Sequence, residues 1–392
     1  MVKLGFFLSV WILFATIRVI RGQLQDFFMI YCSKNCHHRH PLQCAVPPYM
    51  LEKVAEHGKT AKARRTALDS IQVTNFFRSK RREIQRAFQA MGFVSFAAGP
   101  GATVSSRLER RVYDAKNTQD LPGLLVRPEG GPKSADSAVN EVYDGAGHTD
   151  SLFRDEYGRN SIDDHGMPIV QTVHFDRQYQ NAFWDGSQMI YGDGDGKLFG
   201  SFTSDLDIIA HELTHGVTQN EAALVYSFQS GALNESFSDV FGSLVKQRAA
   251  NEDAGQANWL IGDNVLIGKK YALRSMKAPG TAYVNHPVLG TDPQPASMAK
   301  YAELPAWEDQ GGVHINSGIP NHAFYLAAIE IGGYAWKKAG LVWYRTLCDL
   351  LPADATFARC AQATIQAARN EFGAGSLEEK AVNRAWKTVG VL

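Results

Sequence analysis

Cysteine is scarce in this chain: five among 392 residues, with none between Cys44 and Cys348. So few, and an odd number, exclude a disulfide-built scaffold at this length. Only Cys348 and Cys360 could pair within the body, and the cysteines do not reveal the compartment. Net charge is lacking too, since 40 lysines and arginines meet 40 aspartates and glutamates. A spanning run is lacking at the start, where apolar or small residues fill positions 4–17 before Arg18 and Arg21. That is shorter than the about 20 residues a membrane helix needs. What is present is ordinary: 45% apolar, 20% charged and 11% aromatic residues. Such a mixture excludes wholesale disorder, collagen and coiled coil, and the length fits two or three domains.

The zero net charge conceals an asymmetry. Residues 1–111 carry 18 basic and 6 acidic side chains, and residues 112–392 carry 22 and 34. A basic arm on an acidic body could bind nucleic acid or dock on its own body. The body shows no basic stripe, so no nucleic-acid partner is expected.

Met-Val-Lys followed by the apolar run has the form of a signal peptide or an uncleaved anchor, although no good small-x-small cleavage site follows. The expectation is a secreted or cell-surface protein. A start codon that is not used is the alternative, and it would leave the protein in the cytoplasm. Residues 32–40, Cys-Ser-Lys-Asn-Cys-His-His-Arg-His, could bind zinc, but no second pair lies at zinc-finger distance. A basic linker is the favoured reading. Residues 1–43 thus form an N-terminal extension.

Apolar spacing with Leu68, Ile71, Phe76, Ile84, Phe88 and Met91 predicts helices over 49–58, 64–77 and 80–91, with Gly58 and Gly92 as terminators. A helical segment of about 45 residues is marginal alone and should lean on the body. The stretch Ala97-Ala98-Gly99-Pro100-Gly101 and the basic run to Arg111 suit proteolytic nicking. Residues 112–202, with apolar runs at 169–175 and 188–191, read as strands and tight turns. Gly192-Asp193-Gly194-Asp195-Gly196 lacks the ligand spacing of a calcium loop and reads as a hairpin turn. Helices follow at 205–220, 231–250, 318–332, 334–350, 355–372 and 376–389. The fold class is α+β, a strand-rich half followed by a helical half.

The decisive segment is Asp205-Leu-Asp-Ile-Ile-Ala-His-Glu-Leu-Thr-His-Gly-Val-Thr-Gln219. His211 and His215 are four apart, so one helix face presents both imidazoles to a single ion. Glu212 lies beside them, where a carboxylate reaches a water on the metal. An open zinc site needs a third protein ligand. Glu235 in Gly231-Ala-Leu-Asn-Glu-Ser-Phe-Ser-Asp239 supplies it, and Asp239, one turn on, can take the free N–H of a zinc histidine. A further cluster, Glu308-Asp-Gln-Gly-Gly-Val-His-Ile-Asn-Ser-Gly318, places His314 where Asp309 can fix its tautomer and keep it cationic.

In this order, Asn181-Ala182-Phe183-Trp184, the His211/His215 pair, Asn234-Glu235 through Asp239, Leu273-Arg274-Ser275-Met276 and 311–318 resemble the thermolysin-like neutral zinc metalloproteases. The likeness covers roughly residues 112–392. Cys44-Ala-Val-Pro-Pro-Tyr-Met-Leu51 is similar to the start of the short propeptide of the protealysin-like branch. The resemblance implies a two-lobed enzyme with the zinc cleft between a strand-rich lobe, 112–225, and a helical lobe, 226–392, preceded by a propeptide and processing linker, 44–111. It implies one catalytic zinc on His211, His215 and Glu235, a zinc-bound water activated by Glu212, and Tyr226 and His314 on the oxyanion. Asp309 orients His314, and Asn234 and Asp239 support the ligands. Asn181, the Ala182 carbonyl and Arg274 hold substrate backbone, while Phe199, Phe202, Ile208, Ile261 and Leu273 line a pocket for a large apolar residue after the cut. The function implied is a monomeric zinc endopeptidase, made as a zymogen, that acts on peptides or proteins, with its own propeptide as inhibitor. Intact Glu212, Tyr226 and His314 argue against a dead peptide-binding relative, and no acidic residue stands out to capture a substrate amine, as an aminopeptidase requires.

Two finer expectations concern the arm and the missing calcium. Pro47-Pro48 should lie extended in the cleft, with the Cys44 thiolate a candidate latch on the metal. The positions that match the family's paired calcium site are Asp207, Lys246, Asn258, Leu260 and Asp263. A lysine and a leucine cannot complete an oxygen cage, so no calcium pair is expected there, and Lys246 should instead pair with Asp207 or Asp263.

Overall fold

The computed structural model describes residues 43–90, 107–268 and 271–392; side chains of 81–90 lie outside that description. The N-terminal extension before Gln43, its Cys/His tract and the linker residues 91–106 fall outside the described residues.

A six-stranded sheet has the order β1-β5-β6-β4-β2-β3. Its strands are β1 (Gln43–Cys44), β2 (Arg110–Asp114), β3 (Leu124–Pro128), β4 (Ile169–Val173), β5 (Ala182–Trp184) and β6 (Met189–Tyr191). β4 pairs in parallel with both β2 and β6. β1 pairs antiparallel with β5, Cys44 opposite Phe183, so the arm supplies an edge strand to the body's sheet.

The arm folds as helices α1 (Pro48–His57) and α2 (Ala61–Ala90). Two helices therefore stand where the spacing suggested three, because nothing at 78–79 breaks the helical hydrogen bonding. α2 meets the body through residues one turn apart. The Gln180 N–H donates to Ser70 Oγ at 3.1 Å, Thr74 and Tyr179 hydroxyls are 2.7 Å apart, and Phe77 stacks edge-on to Phe175 at 5.5 Å.

Within the strand-rich half a helix appears that the turn-like composition hid, α3 (Ser137–Ser151). Asp136 caps it by accepting from the Ala138 N–H, and Val139, Val142, Tyr143 and Ala146 form its buried face. That i, i+3, i+4, i+7 pattern is legible in the sequence; the glycines at 145 and 147 mask it. Residues 192–196 make an irregular loop rather than the expected hairpin. Asp195 Oδ1 accepts from the N–H groups of 197, 198 and 199, and Asp193 pairs with His174 at 2.9 Å.

The helical half comprises α4 (Leu206–Asn220), α5 (Phe228–Ala250), a short kinked α6 (Asp309–Asn316), α7 (Gly318–Ile331), α8 (Ala339–Arg345), α9 (Phe357–Phe372) and α10 (Leu377–Thr388). The helix expected over 334–350 starts at Ala339 and ends in a π-turn, Thr346–Leu350. A two-stranded ribbon, β7 (Leu260–Ile261) with β8 (Arg274–Ser275), completes this half.

α4 and α5 run side by side along one seam. On α4 the seam holds Asp207, His211 and His215; on α5 it holds Lys246, Gly242, Asp239 and Glu235. A Cβ on Gly242 would sit 2.6 Å from the Asp207 carbonyl oxygen, so glycine permits this approach. At the far end Lys246 Nζ lies 2.9 Å from Asp207 Oδ2 and 2.6 Å from Asp263 Oδ1, where the sequence placed it.

Burial pushes Asp207 up from 3.8 to about 7 although Lys246 opposes the shift. Its ionisation in the folded state therefore costs stability as pH rises above 3.8 and through 7. Lys246→Met should lower stability by about 3 kcal/mol at pH 8 and by less at pH 5, where Asp207 escapes its unpaired charge by taking a proton. Guanidine unfolding at the two pH values checks this; an equal loss at both overturns the role of Asp207.

Candidate active site

The seam ends in three ligand atoms. His211 Nε2 and His215 Nε2 are 3.1 Å apart, and the Glu235 carboxylate lies 3.5 and 3.4 Å from them. These three residues form a group able to hold a metal, and each is fully buried. Hydrogen bonds behind the rings set the tautomers. His211 Nδ1 donates to Asp239 Oδ1 at 2.8 Å, and His215 Nδ1 donates to Asn234 Oδ1 at 2.8 Å. Both Nε2 lone pairs therefore face one another and a carboxylate whose Oε2 has no hydrogen-bond partner. Two lone pairs and an anion in a dry pocket repel unless a cation lies among them, so the donor set fits a divalent ion, and its nitrogen-and-carboxylate character fits zinc.

Glu212, between the two histidines on α4, points to the same cleft. Its Oε2 accepts from the Trp184 N–H of β5 at 3.1 Å, and its Oε1 is buried without a partner. Burial, reinforced by the charge of Glu235, pushes its carboxyl well above the usual carboxylate range. Burial also holds His215 well below its ordinary value, with His211 adding to the effect, which keeps a neutral ligand nitrogen.

Across the cleft, Asp309-Gln-Gly-Gly312 turns left-handed, with φ of +85° at Gly311 and +77° at Gly312. The turn carries the chain back so that Asp309 grips His314 twice, Oδ1 to Nδ1 at 2.5 Å and Oδ2 to the backbone N–H at 2.9 Å. Burial works against a charged imidazole here, but Asp309 and Glu235 outweigh it and lift His314 to about 9. His314 Nε2 lies 3.2 Å from the Tyr226 hydroxyl, which itself donates to Glu235 Oε1.

The cleft is filled by the chain's own arm. The Ala45 N–H donates to the Ala182 carbonyl at 3.0 Å, and the Val46 N–H donates to Asn181 Oδ1 at 2.8 Å. Asn181 Nδ2 returns a bond to the Val46 carbonyl, and Arg274 donates to the Ala45 carbonyl at 3.1 Å. Asn181, Ala182 and Arg274 thus hold the extended backbone of the chain's own arm. Phe199, Phe202, Ile208, Ile261 and Leu273 are buried in one apolar cluster that also contains Ala45 and Val46.

Two expectations for the arm need correction. Pro47 is extended, at φ −57° and ψ 142°, but Pro48 already opens α1, so the strand-like stretch is 43–46 and not the proline pair. The Cys44 thiol is not among the clustered ligand atoms. It sits with Phe175, Tyr179, Phe183 and Ile190, and burial pushes it up to about 12, so it stays a thiol. What reaches the catalytic side of the cleft is the Cys44 carbonyl, 3.2 Å from His314 Nε2. Cys348 and Cys360 are not joined by a disulfide.

The sequence reading missed Trp184 as the backbone anchor of Glu212, and Asn321, whose Nδ2 donates to Asp239 Oδ2 at 2.8 Å. It also missed that Arg274 grips Asp239 through Nε and a second guanidinium nitrogen, each at 2.8 Å. No spacing signal links these pairs, which are 28, 82 and 35 residues apart.

Residues 104–219 match the family described as thermolysin metallopeptidase, catalytic domain, and residues 222–391 match thermolysin metallopeptidase, alpha-helical domain. An extracellular metalloprotease of Pectobacterium carotovorum subsp. carotovorum is 46% identical over 359 residues, 90% of this chain and 97% of that relative. Protease PrtS of Photorhabdus sp. (strain Az29) is 49% identical over 291 residues, 74% of this chain and 78% of its own. The solved precursor of protealysin, a metalloproteinase from Serratia proteamaculans, aligns with a TM-score of 0.78 and 46% identity, covering 89% of this chain and all of that one. With family matches across both halves and a nearly full-length relative, the chain belongs to the thermolysin (M4) family of metallopeptidases.

Proposed function

We propose that this metallopeptidase is a zinc-dependent endopeptidase made as a zymogen, in which residues 44–111 are propeptide and processing linker and the two catalytic lobes meet near residue 225. The observation that carries the reading is the tautomer-fixed His211/His215 pair facing an unpartnered Glu235 oxygen. His211, His215 and Glu235 would hold a zinc ion, which would supply Lewis acidity toward a peptide carbonyl and toward a water. Glu212, with its free Oε1, is the proton acceptor for that water and the donor to the leaving amine. Cationic His314 and the Tyr226 hydroxyl donate to the developing oxyanion, and Asp309 keeps His314 charged. Asn181, Ala182 and Arg274 hold the substrate as an added strand. The apolar set around Phe199, Phe202 and Leu273 favours a large hydrophobic residue after the cut. Export is supported by the extracellular relative of this length.

Purified, processed protein should hydrolyse casein, lose that activity to a chelator and carry one zinc per chain; activity that survives full metal removal overturns the reading. Glu212→Gln should retain the zinc but lose hydrolysis by several orders of magnitude. Near-normal turnover in that variant removes Glu212 from the proposed role.

The Lys246 ion pairs with Asp207 and Asp263 take up the positions that the resemblance assigns to a calcium pair, and they stand in for it in this reading. The expected melting temperature is therefore insensitive to millimolar calcium, and a steep rise on calcium addition overturns this proposal.

A further inference from the structure

The strand in the cleft enters with a definite polarity, and this singles out one peptide bond. The Cys44 carbonyl faces His314 Nε2 at 3.2 Å, and the following N–H, of Ala45, donates to the Ala182 carbonyl at 3.0 Å. The Ala45 carbonyl is held by Arg274, and Val46 is held in both directions by Asn181. Side chains alternate as on a strand, Cys44 into the Phe175–Tyr179–Phe183 nest and Ala45 into the main apolar core. His314 is the oxyanion donor of the proposed mechanism. The carbonyl it touches is therefore the one a substrate offers for attack, and Ala45 takes the place of the residue after the cut. Glu212 Oε1, buried and unpartnered, remains free to serve this bond.

We propose that the Cys44–Ala45 bond is the enzyme's own first substrate, cut once within the same chain, so that residues 1–44 leave while the segment from Ala45 stays in the cleft as inhibitor. The proposal rests on the endopeptidase reading. One water is consumed. Its oxygen goes to the Cys44 carbonyl carbon, the C–N bond breaks, Cys44 becomes a carboxylate, and both water protons end on the Ala45 nitrogen, which leaves as an ammonium. No oxidant or co-reactant is needed. The new N-terminal segment remains anchored because Val46 keeps its two bonds to Asn181, and Met50, Leu51 and Val54 of α1 are buried. The endopeptidase reading assigns Phe199, Phe202 and Leu273 to a pocket for a large residue after the cut, so Ala45 should be cut slowly and a larger apolar residue should speed the cut.

The full-length, zinc-loaded chain is followed by intact mass and N-terminal sequencing as it is purified and incubated. The expected result is a species that begins at Ala45, formed at a rate independent of protein concentration and absent from Glu212→Gln. Ala45→Leu should form it at least about tenfold faster. Ala45→Pro, which removes the N–H given to Ala182, should not form it. A readout without turnover is amide exchange in full-length Glu212→Gln, where the Ala45 and Val46 amides should be strongly protected; rapid exchange there overturns the substrate-like pose. A chain that becomes active on casein while its Cys44–Ala45 bond stays intact overturns the proposal and leaves the endopeptidase reading standing. A rate that rises with protein concentration also overturns the same-chain cut. Failure of every form to cleave casein overturns the endopeptidase reading itself.

Discussion

The carboxylate of Asp239 is the group on which the site depends. It is fully buried and accepts from His211, twice from Arg274, and from Asn321. Burial opposes its charge, yet Arg274 and His211 overcome that and hold it below the usual carboxylate range. One anion thereby sets the tautomer of a metal ligand and fixes the guanidinium that reaches the backbone in the cleft. A buried charge of this kind is tolerable only with its donors in place, so its partners form a single cooperative unit. The two tasks of the enzyme, holding an ion and holding a chain, share one support.

That support works because two helices pack along one seam. α4 and α5 are buried almost throughout, so their polar seam residues are enclosed, and each must find a partner across the interface. Asp207 answers Lys246 at one end, Asp239 answers His211 in the middle, and Glu235 faces both histidines at the other. Glycine at 242 allows the approach. A larger residue there would spread the helices and separate the ligand atoms, although it touches no ion.

The arm uses the same site from the other side. It adds β1 to the sheet edge at β5, the edge on which a substrate strand would pair, and it takes up Asn181, Ala182 and Arg274. An arm held this way fills the cleft without placing a side chain on the metal ligands. Backbone pairing, which is indifferent to side chain, anchors residues 43–46, and the apolar faces of α1 and α2 hold the rest. This is also why the thiol proved to be the wrong candidate. Strand alternation turns the Cys44 side chain into an aromatic nest and leaves its carbonyl toward His314.

The sequence by itself picked out the side chains that gather at the site. His211, Glu212 and His215 lie within a single turn, Glu235 and Asp239 lie one turn apart, and Asp309 with His314 spans one loop, so local periodicity placed each set correctly. It also located most helices from 205 onward by their apolar spacing, but not the short kinked α6 or the late start of α8 at Ala339. It failed where local signals conflict, as at α3, whose glycines imitate turns although Val139, Val142, Tyr143 and Ala146 mark a helix face. Only the tertiary structure decided which distant groups meet: Trp184 on Glu212, Arg274 and Asn321 on Asp239, and the Cys44 carbonyl on His314. Those contacts arise from how a sheet edge, two buried helices and a left-handed turn converge, and spacing along the chain carries no record of such convergence.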